Sequence, residues 1–274
     1  MGRCCQMTDV EILQKKLLRM MKELHHFLEN ENIPYYMLGG TSLGAFRHNG
    51  FIPWDDDIDI GIPRRHYDRL IKIADRLPEG LVLMCYQNTE GFPYNFAKIV
   101  DSSTTLIEKD YVNNVMGVFI DVFPLDGACS NAKLEKIRQK RIYFWHSAVM
   151  SHFSTTPKKG IIKKVFKVFA ELMPAGYLRA KADRIMKKYA WDSSEIIANY
   201  MGSWHEKEVM SKSIFGKPTL HRFEDCMFYT EERIADYLEK MYGDYMKLPS
   251  AENRVFRHGY YYFDVNTPYS EYKK

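Results

Sequence analysis

Cysteine is scarce. The five in 274 residues, Cys4, Cys5, Cys85, Cys129 and Cys226, are odd in number and have no CxxC spacing. That pattern excludes a disulfide framework and a cysteine-based zinc site, so reduced thiols are expected. No stretch reaches the roughly 18 uninterrupted apolar residues of a membrane span, and no apolar signal core stands at the N-terminus, so a cytoplasmic protein is expected. Excess charge is missing too: a formal net charge of +4 argues against a dedicated nucleic-acid binder while permitting a local basic patch. There is no internal repeat and no low-complexity linker. What is present, 46% hydrophobic residues over this length, suffices to bury a full core in one large or two modest domains.

The richest stretch runs from Leu38 to Ile62. A short apolar run, Tyr35 to Leu38, reads as a strand, and Gly39 and Gly40 let the backbone come close to a ligand before Thr41 and Ser42 open a helix. Helix N-termini bind phosphate. Further on, Asp57, Ile58, Asp59 and Ile60 alternate with period two, which points both carboxylates to one sheet face and both isoleucines to the other. Two adjacent carboxylates repel unless a positive charge sits between them, and a divalent cation is the usual solution. A calcium loop of EF-hand type is excluded, because Ile60 and His66 stand where its glycine and glutamate would be, counting from Asp55. Asp55 and Asp56 suit a surface turn.

A first helix is predicted from the apolar spacing of Ile12 to Leu28, capped by Thr8 with Glu11 and ended by Asn30, Asn32 and Pro34. His25 and His26 near its end are expected to be solvated or capping. After a helix opening at Pro63, strands are predicted over Leu81 to Tyr86, Phe96 to Val100, Thr104 to Ile107 and Met116 to Phe123. Lys98 and Asp121 interrupt apolar strands, and each then needs a partner of opposite charge. Lys98 and Arg47 are the cations best placed to meet a pyrophosphate, Arg47 alternatively bridging to one of the extra aspartates. His48 could relay a proton or simply hydrogen-bond, Trp54 reads as core, and Asp126 as a cap before the next helix. From Asn131 the pattern turns helical. Ile161, Ile162, Val165, Phe166, Val168, Phe169, Leu172 and Met173 form the apolar side of a basic helix, with Lys158, Lys159, Lys163, Lys164 and Lys167 opposite. Residues 158–173 could lie on an anionic membrane, but an apolar face packed on the rest of the protein is the expected arrangement.

The run GGTSLGAFRHNGFIPWDDDIDI, with IDVFPLD, Tyr94 to Lys98 and Tyr242 to Pro249, resembles the LicD family of phosphotransferases. Members of that family also resemble the fukutin-related ribitol-phosphate transferases and share the nucleotidyltransferase fold. The resemblance implies an α+β fold, a nucleotidyltransferase-like mixed sheet flanked by helices over residues 1–128, with a mainly helical C-terminal region, 129–274, closing the cleft. It implies that Asp57, Asp59 and Asp121 carry Mg2+ (or Mn2+), the last from a later strand beside the Asp-x-Asp strand. Gly39, Gly40, Thr41, Ser42, Arg47, His48 and Lys98 would then meet the donor. The implied reaction moves a phosphorylated alcohol, phosphocholine from CDP-choline, onto a sugar hydroxyl of a cell-surface glycan or teichoic acid precursor, releasing CMP. The glycan acceptor would be lipid-linked and the enzyme peripheral at the inner membrane face. Alternatives are CDP-ribitol or CDP-glycerol as donor, nucleotidyl transfer from a nucleoside triphosphate, and a degenerate glycan- or membrane-binding domain.

Overall fold

Helical periodicity is realised in α1 (Asp9–Asn30), where Leu13, Leu17, Met20, Met21, Leu24 and Leu28 are buried along one side. The computed structural model describes residues 9–157, 159–254 and 260–273, so Thr8 and Lys158 lie outside the described residues. His25 is neither solvated nor capping: it is buried, with Nδ1 2.8 Å from the Tyr35 hydroxyl.

The chain continues through β1 (Tyr36–Met37), α2 (Gly39–His48), β2 (Asp59–Pro63), α3 (Arg64–Lys72), β3 (Leu81–Met84), β4 (Ala97–Asp101), β5 (Thr105–Glu108), β6 (Val115–Met116) and β7 (Phe119–Gly127). Three helices follow, α4 (Ala132–Phe153), α5 (Ile161–Leu172) and α6 (Ala175–Met186). Then come β8 (Ile196–Asn199), β9 (Val209–Ser211), α7 (Lys212–Phe215), β10 (Thr219–Phe223), β11 (Cys226–Thr230), α8 (Ile234–Tyr242) and β12 (Tyr260–Asp264). The fold is α+β. Its main sheet is mixed and ordered β1-β2-β7-β4-β3, with β2 and β7 parallel and the other pairs antiparallel. After the three helices the chain returns to pair β8 with the end of β7, and β9 with β8. Separately, β10 pairs with β11, and β5 sits between β6 and β12.

Side-chain alternation divides the sheet's two faces. Ile58, Ile60, Ile62, Ile120 and Val122 are fully buried and join the apolar side of α1, which leaves Asp57, Asp59 and Asp121 to the opposite face. The predicted single strand over Met116 to Phe123 is two strands. The interruption falls at Gly117, whose bare backbone lies against the Asp101 carbonyl that a Cβ would strike. β7 also runs further than predicted, carrying Asp126 inside the sheet and not at a helix cap. Arg64, at the start of α3, donates to both Asp126 carboxylate oxygens, from Nε at 2.8 Å and Nη2 at 2.7 Å. Burial pushes the Asp126 carboxyl up and Arg64 opposes that shift.

The apolar side of α5 divides in two. Phe166, Phe169 and Ala170 pack against Ala148, Val149 and Leu178 of α4 and α6, whereas Ile161, Val165, Val168 and Leu172 remain exposed. The expected packing is thus met by half of the face.

Removing one partner of the Arg64–Asp126 pair strands a buried charge. Arg64→Met is expected to destabilise the fold by about 3–5 kcal/mol in urea unfolding, and Arg64→Met/Asp126→Leu to restore most of it. Equal stabilities for the single variant and the parent protein would contradict this.

Candidate functional site

Parallel pairing of β2 and β7 sets Asp59 opposite Asp121, so two carboxylates leave neighbouring strands on one face. Asp57 precedes Asp59 by two residues and shares that face. Burial, followed by the charges of Asp57, Asp121 and Asp55, pushes the Asp59 carboxyl well above the usual carboxylate range. Positive charge comes from the next strand. Lys98 on β4 is in register with Asp121, and its Nζ donates to Asp121 Oδ1 at 2.8 Å and lies 4.0 Å from Glu108 Oε2. Only 1% exposed, the lysine holds its ammonium 3.3 Å from the Phe119 ring centre and 4.6 Å from that of Tyr94. The anionic partner that Lys98 needs is therefore the third acid itself.

The glycine turn abuts this face. α2 begins at Gly39, two residues earlier than predicted, with Leu38 as an N-cap that offers no side-chain hydrogen bond. Gly39 has φ of +55°, and its N–H donates to the Tyr237 hydroxyl of α8 at 2.8 Å. At Gly40 a Cβ would sit 2.8 Å from Asp55 Oδ2, closer than side chains tolerate. Thr41 and Ser42 bond to the protein itself. Thr41 Oγ1 accepts the Asp59 N–H at 2.9 Å, while the buried Ser42 hydroxyl donates to the Met37 carbonyl at 2.8 Å and lies 3.1 Å from Glu231 Oε2. They shape the turn from behind.

Arg47 meets none of the aspartates. Its Nη1 donates to the Tyr245 carbonyl at 2.7 Å and its Nε to His48 Nε2 at 3.0 Å, which ties the end of α2 to the C-terminal segment. Burial lowers the pKa of both groups. Trp54 is half-buried, with its ring edge-on to His48 and the Arg254 guanidinium 5.7 Å from its centre.

Two cavities meet at Asp57. One, about 190 Å³, is bounded by Gly39, Gly40 and Asp59 and, from the other end of the chain, Asn199, Trp204 and Glu208. The second, about 480 Å³, lies beyond Asp121 and is walled by Glu108, Asp110, Tyr111, Phe119 and Tyr260. The Tyr260 and Tyr94 hydroxyls donate to Asp56 and Glu108 respectively.

Sequence reasoning missed Glu208 and Glu231. Burial pushes the Glu208 carboxyl up to about 7, and its Oε1 accepts the Trp204 N–H at 3.0 Å, holding the loop that walls the smaller cavity. Glu231, fully buried behind the turn, is pushed up to about 8 by burial, and its Oε1 has no hydrogen-bond partner. Neither has a local signature: Glu208 belongs to a charged run, His205 to Glu208, that reads as surface.

Carboxylates sharing one face of a mixed sheet beside a glycine turn are the arrangement of a nucleotidyltransferase-type domain. Residues 32–161 match a family model described as LicD/FKTN/FKRP, nucleotidyltransferase domain. The chain carries a LicD-family domain. It is 27% identical over 252 residues to the lipopolysaccharide cholinephosphotransferase LicD of Haemophilus influenzae, covering 88% of this chain and 92% of that protein. The human ribitol 5-phosphate transferase FKRP is 43% identical over 49 residues, 16% of this chain and 10% of that one. The mouse ribitol-5-phosphate transferase FKTN is 27% identical over 97 residues, 35% and 18% of the two chains.

The Glu231 proton gives a pH test. The folded protein holds it up to about pH 8, whereas the unfolded chain releases it near the ordinary 4.5, so unfolding free energy should fall as pH rises between those values. Glu231→Gln is expected to flatten that fall and to be more stable than the parent protein at pH 8 by roughly 1–3 kcal/mol. Parallel stability-versus-pH curves for the two would contradict it.

Proposed function

We propose that this phosphotransferase moves phosphocholine from CDP-choline to a sugar hydroxyl of a glycan precursor and releases CMP. The observation that carries the reading is the Asp59–Asp121 register with Asp57 alongside, at the foot of a turn without side chains. All donors there are carboxylate oxygens, and burial together with the neighbouring carboxylates pushes the Asp59 carboxyl well up while Lys98 holds Asp121. That donor set fits a hard divalent cation, Mg2+ or Mn2+, held by Asp57, Asp59 and Asp121. When bound, such an ion would neutralise the donor's pyrophosphate and the attacking oxygen.

The chain's own residues account for the rest. Bare backbone at Gly39 and Gly40 leaves room for the donor phosphates beside Asp59, and the Thr41 hydroxyl fixes Asp59 through its backbone N–H. Lys98, locked between Asp121 and the Phe119 ring, holds the third carboxylate in place on that face. The acceptor oxygen forms the new phosphodiester bond as the bond to CMP breaks. For the cargo, the larger cavity combines acids, Glu108 and Asp110, with the rings of Tyr111, Phe119 and Tyr260. Aromatic rings with carboxylates suit a quaternary ammonium better than a neutral polyol. The three described cysteines are free thiols, in keeping with a cytoplasmic enzyme. Among the described residues no helix is long and apolar enough to cross a membrane.

Incubation with magnesium and a panel of CDP-alcohols decides the cargo. CMP is expected from CDP-choline in preference to CDP-ribitol and CDP-glycerol; release of pyrophosphate from nucleoside triphosphates alone would replace this reading with nucleotidyl transfer. Asp59→Asn should cost 10²-fold or more in turnover, roughly 3 kcal/mol, with the fold intact. Gly40→Val should weaken donor binding more than Ser42→Ala, and equal donor affinity for the parent protein and the Gly40 variant would remove the turn from the site.

A further inference from the structure

The surface made by α4, α5 and α6 carries an apolar stripe and a basic groove side by side. On α5 the exposed residues Ile161, Val165, Val168 and Leu172 follow at i, i+4, i+7 and i+11, which aligns them on one line of the helix. They are far from covered: Ile161 is 79% and Leu172 78% exposed. Lys159, Lys163 and Lys164 are exposed around the start of the helix, whereas Lys167 turns inward to the Ser151 and Ser154 carbonyls at 3.0 Å each. Across α4 the stripe connects to a groove. Phe144 packs edge-on against Phe166 at 5.7 Å, and its neighbour Trp145 meets Tyr177 at 6.1 Å and forms one wall of a groove of about 560 Å³ between α4 and α6.

Every charged residue that lines the groove is basic. Arg141, Lys181, Arg184 and Lys188 line it, Arg138 forms its floor, and no carboxylate does so among the described residues. Arg138 is already satisfied by Glu135 at 3.0 Å and by the Ile185 and Met186 carbonyls, so the cations around it are the ones that face an incoming anion. Leu134 and Ile137, both more than half exposed, add apolar surface at the groove's mouth.

We propose that this face docks on an anionic phospholipid bilayer, with the α5 stripe entering the headgroup layer and the groove taking a lipid phosphate. A groove whose charges are all positive, beside an exposed apolar stripe, is complementary to such a surface in both respects. A second copy of the chain is a poorer occupant. A two-fold contact through the stripe would bring the lysines and arginines of both copies together.

Co-sedimentation of the full chain with vesicles tests it, a readout that needs no turnover and so fails separately from the transferase reading. Binding is expected to vesicles of phosphatidylglycerol with phosphatidylcholine and not to phosphatidylcholine alone, and to fall as salt is raised. Val165→Ser/Leu172→Ser and Arg184→Glu/Lys188→Glu should each weaken it about tenfold, with hydrolysis of soluble CDP-choline unchanged. Undiminished binding in both variants, equal binding to neutral vesicles, or no binding at low salt would overturn the proposal. So would light scattering that finds a dimer which Val165→Ser/Leu172→Ser dissociates, since a second copy would then cover the stripe.

Discussion

Like-charge repulsion between Asp59 and Asp121, paired across neighbouring strands, is the constraint on which the site depends. Parallel register fixes it: once β2 lies along β7, the two carboxylates stand on adjacent strands with Asp57 beside them, and no rotamer carries them to the other face. The isoleucines between them hold that register, because a slip of one residue would turn Ile58 and Ile60 out of the core and the aspartates into it. Apolar burial on one face thereby sustains electrostatic strain on the other. Lys98 relieves part of it from β4, itself desolvated and held by rings as well as by Asp121.

The C-terminal half completes the site through single contacts to its N-terminal half. The Tyr237 hydroxyl receives the Gly39 N–H, Glu231 lies behind Ser42, and the Tyr245 carbonyl receives Arg47. Glu208 and Asn199 reach the smaller cavity from β8 and the loop beyond it. The glycine turn is therefore framed by parts of the chain more than a hundred residues apart, so a change in α8 can act on the turn without touching a ligand.

Much of this was legible in the sequence. The period-two alternation through Asp57 to Ile60 is local and strong, and the amphipathic spacing of α1 extends over 22 residues. Lys98 and Asp121 announced themselves as charges inside apolar strands, and the structure pairs them with each other. What could not be read depends on distant partners. β8 and β9 are four and three residues long, and only their addition to β7 makes them strands. Asp126 resembled a cap because Arg64, its ion partner, lies 62 positions away. The hydroxyls of Thr41 and Ser42 are inward for the same reason, drawn by Asp59 and Glu231. In α5 the apolar pattern gave the helix and its two sides but not which half of the wide apolar arc is covered, a matter of where α4 and α6 lie.

We infer that Asp57, Asp59 and Asp121 form one divalent-cation site in competition with the Lys98 ammonium for Asp121. Titration of the purified protein with Mn2+, followed by the loss of the free-ion electron paramagnetic resonance signal, tests it without donor or acceptor. Binding is expected that Mg2+ displaces, that Asp121→Asn weakens at least about tenfold, and that Lys98→Met does not abolish. Mn2+ affinity unchanged in Asp121→Asn would contradict it.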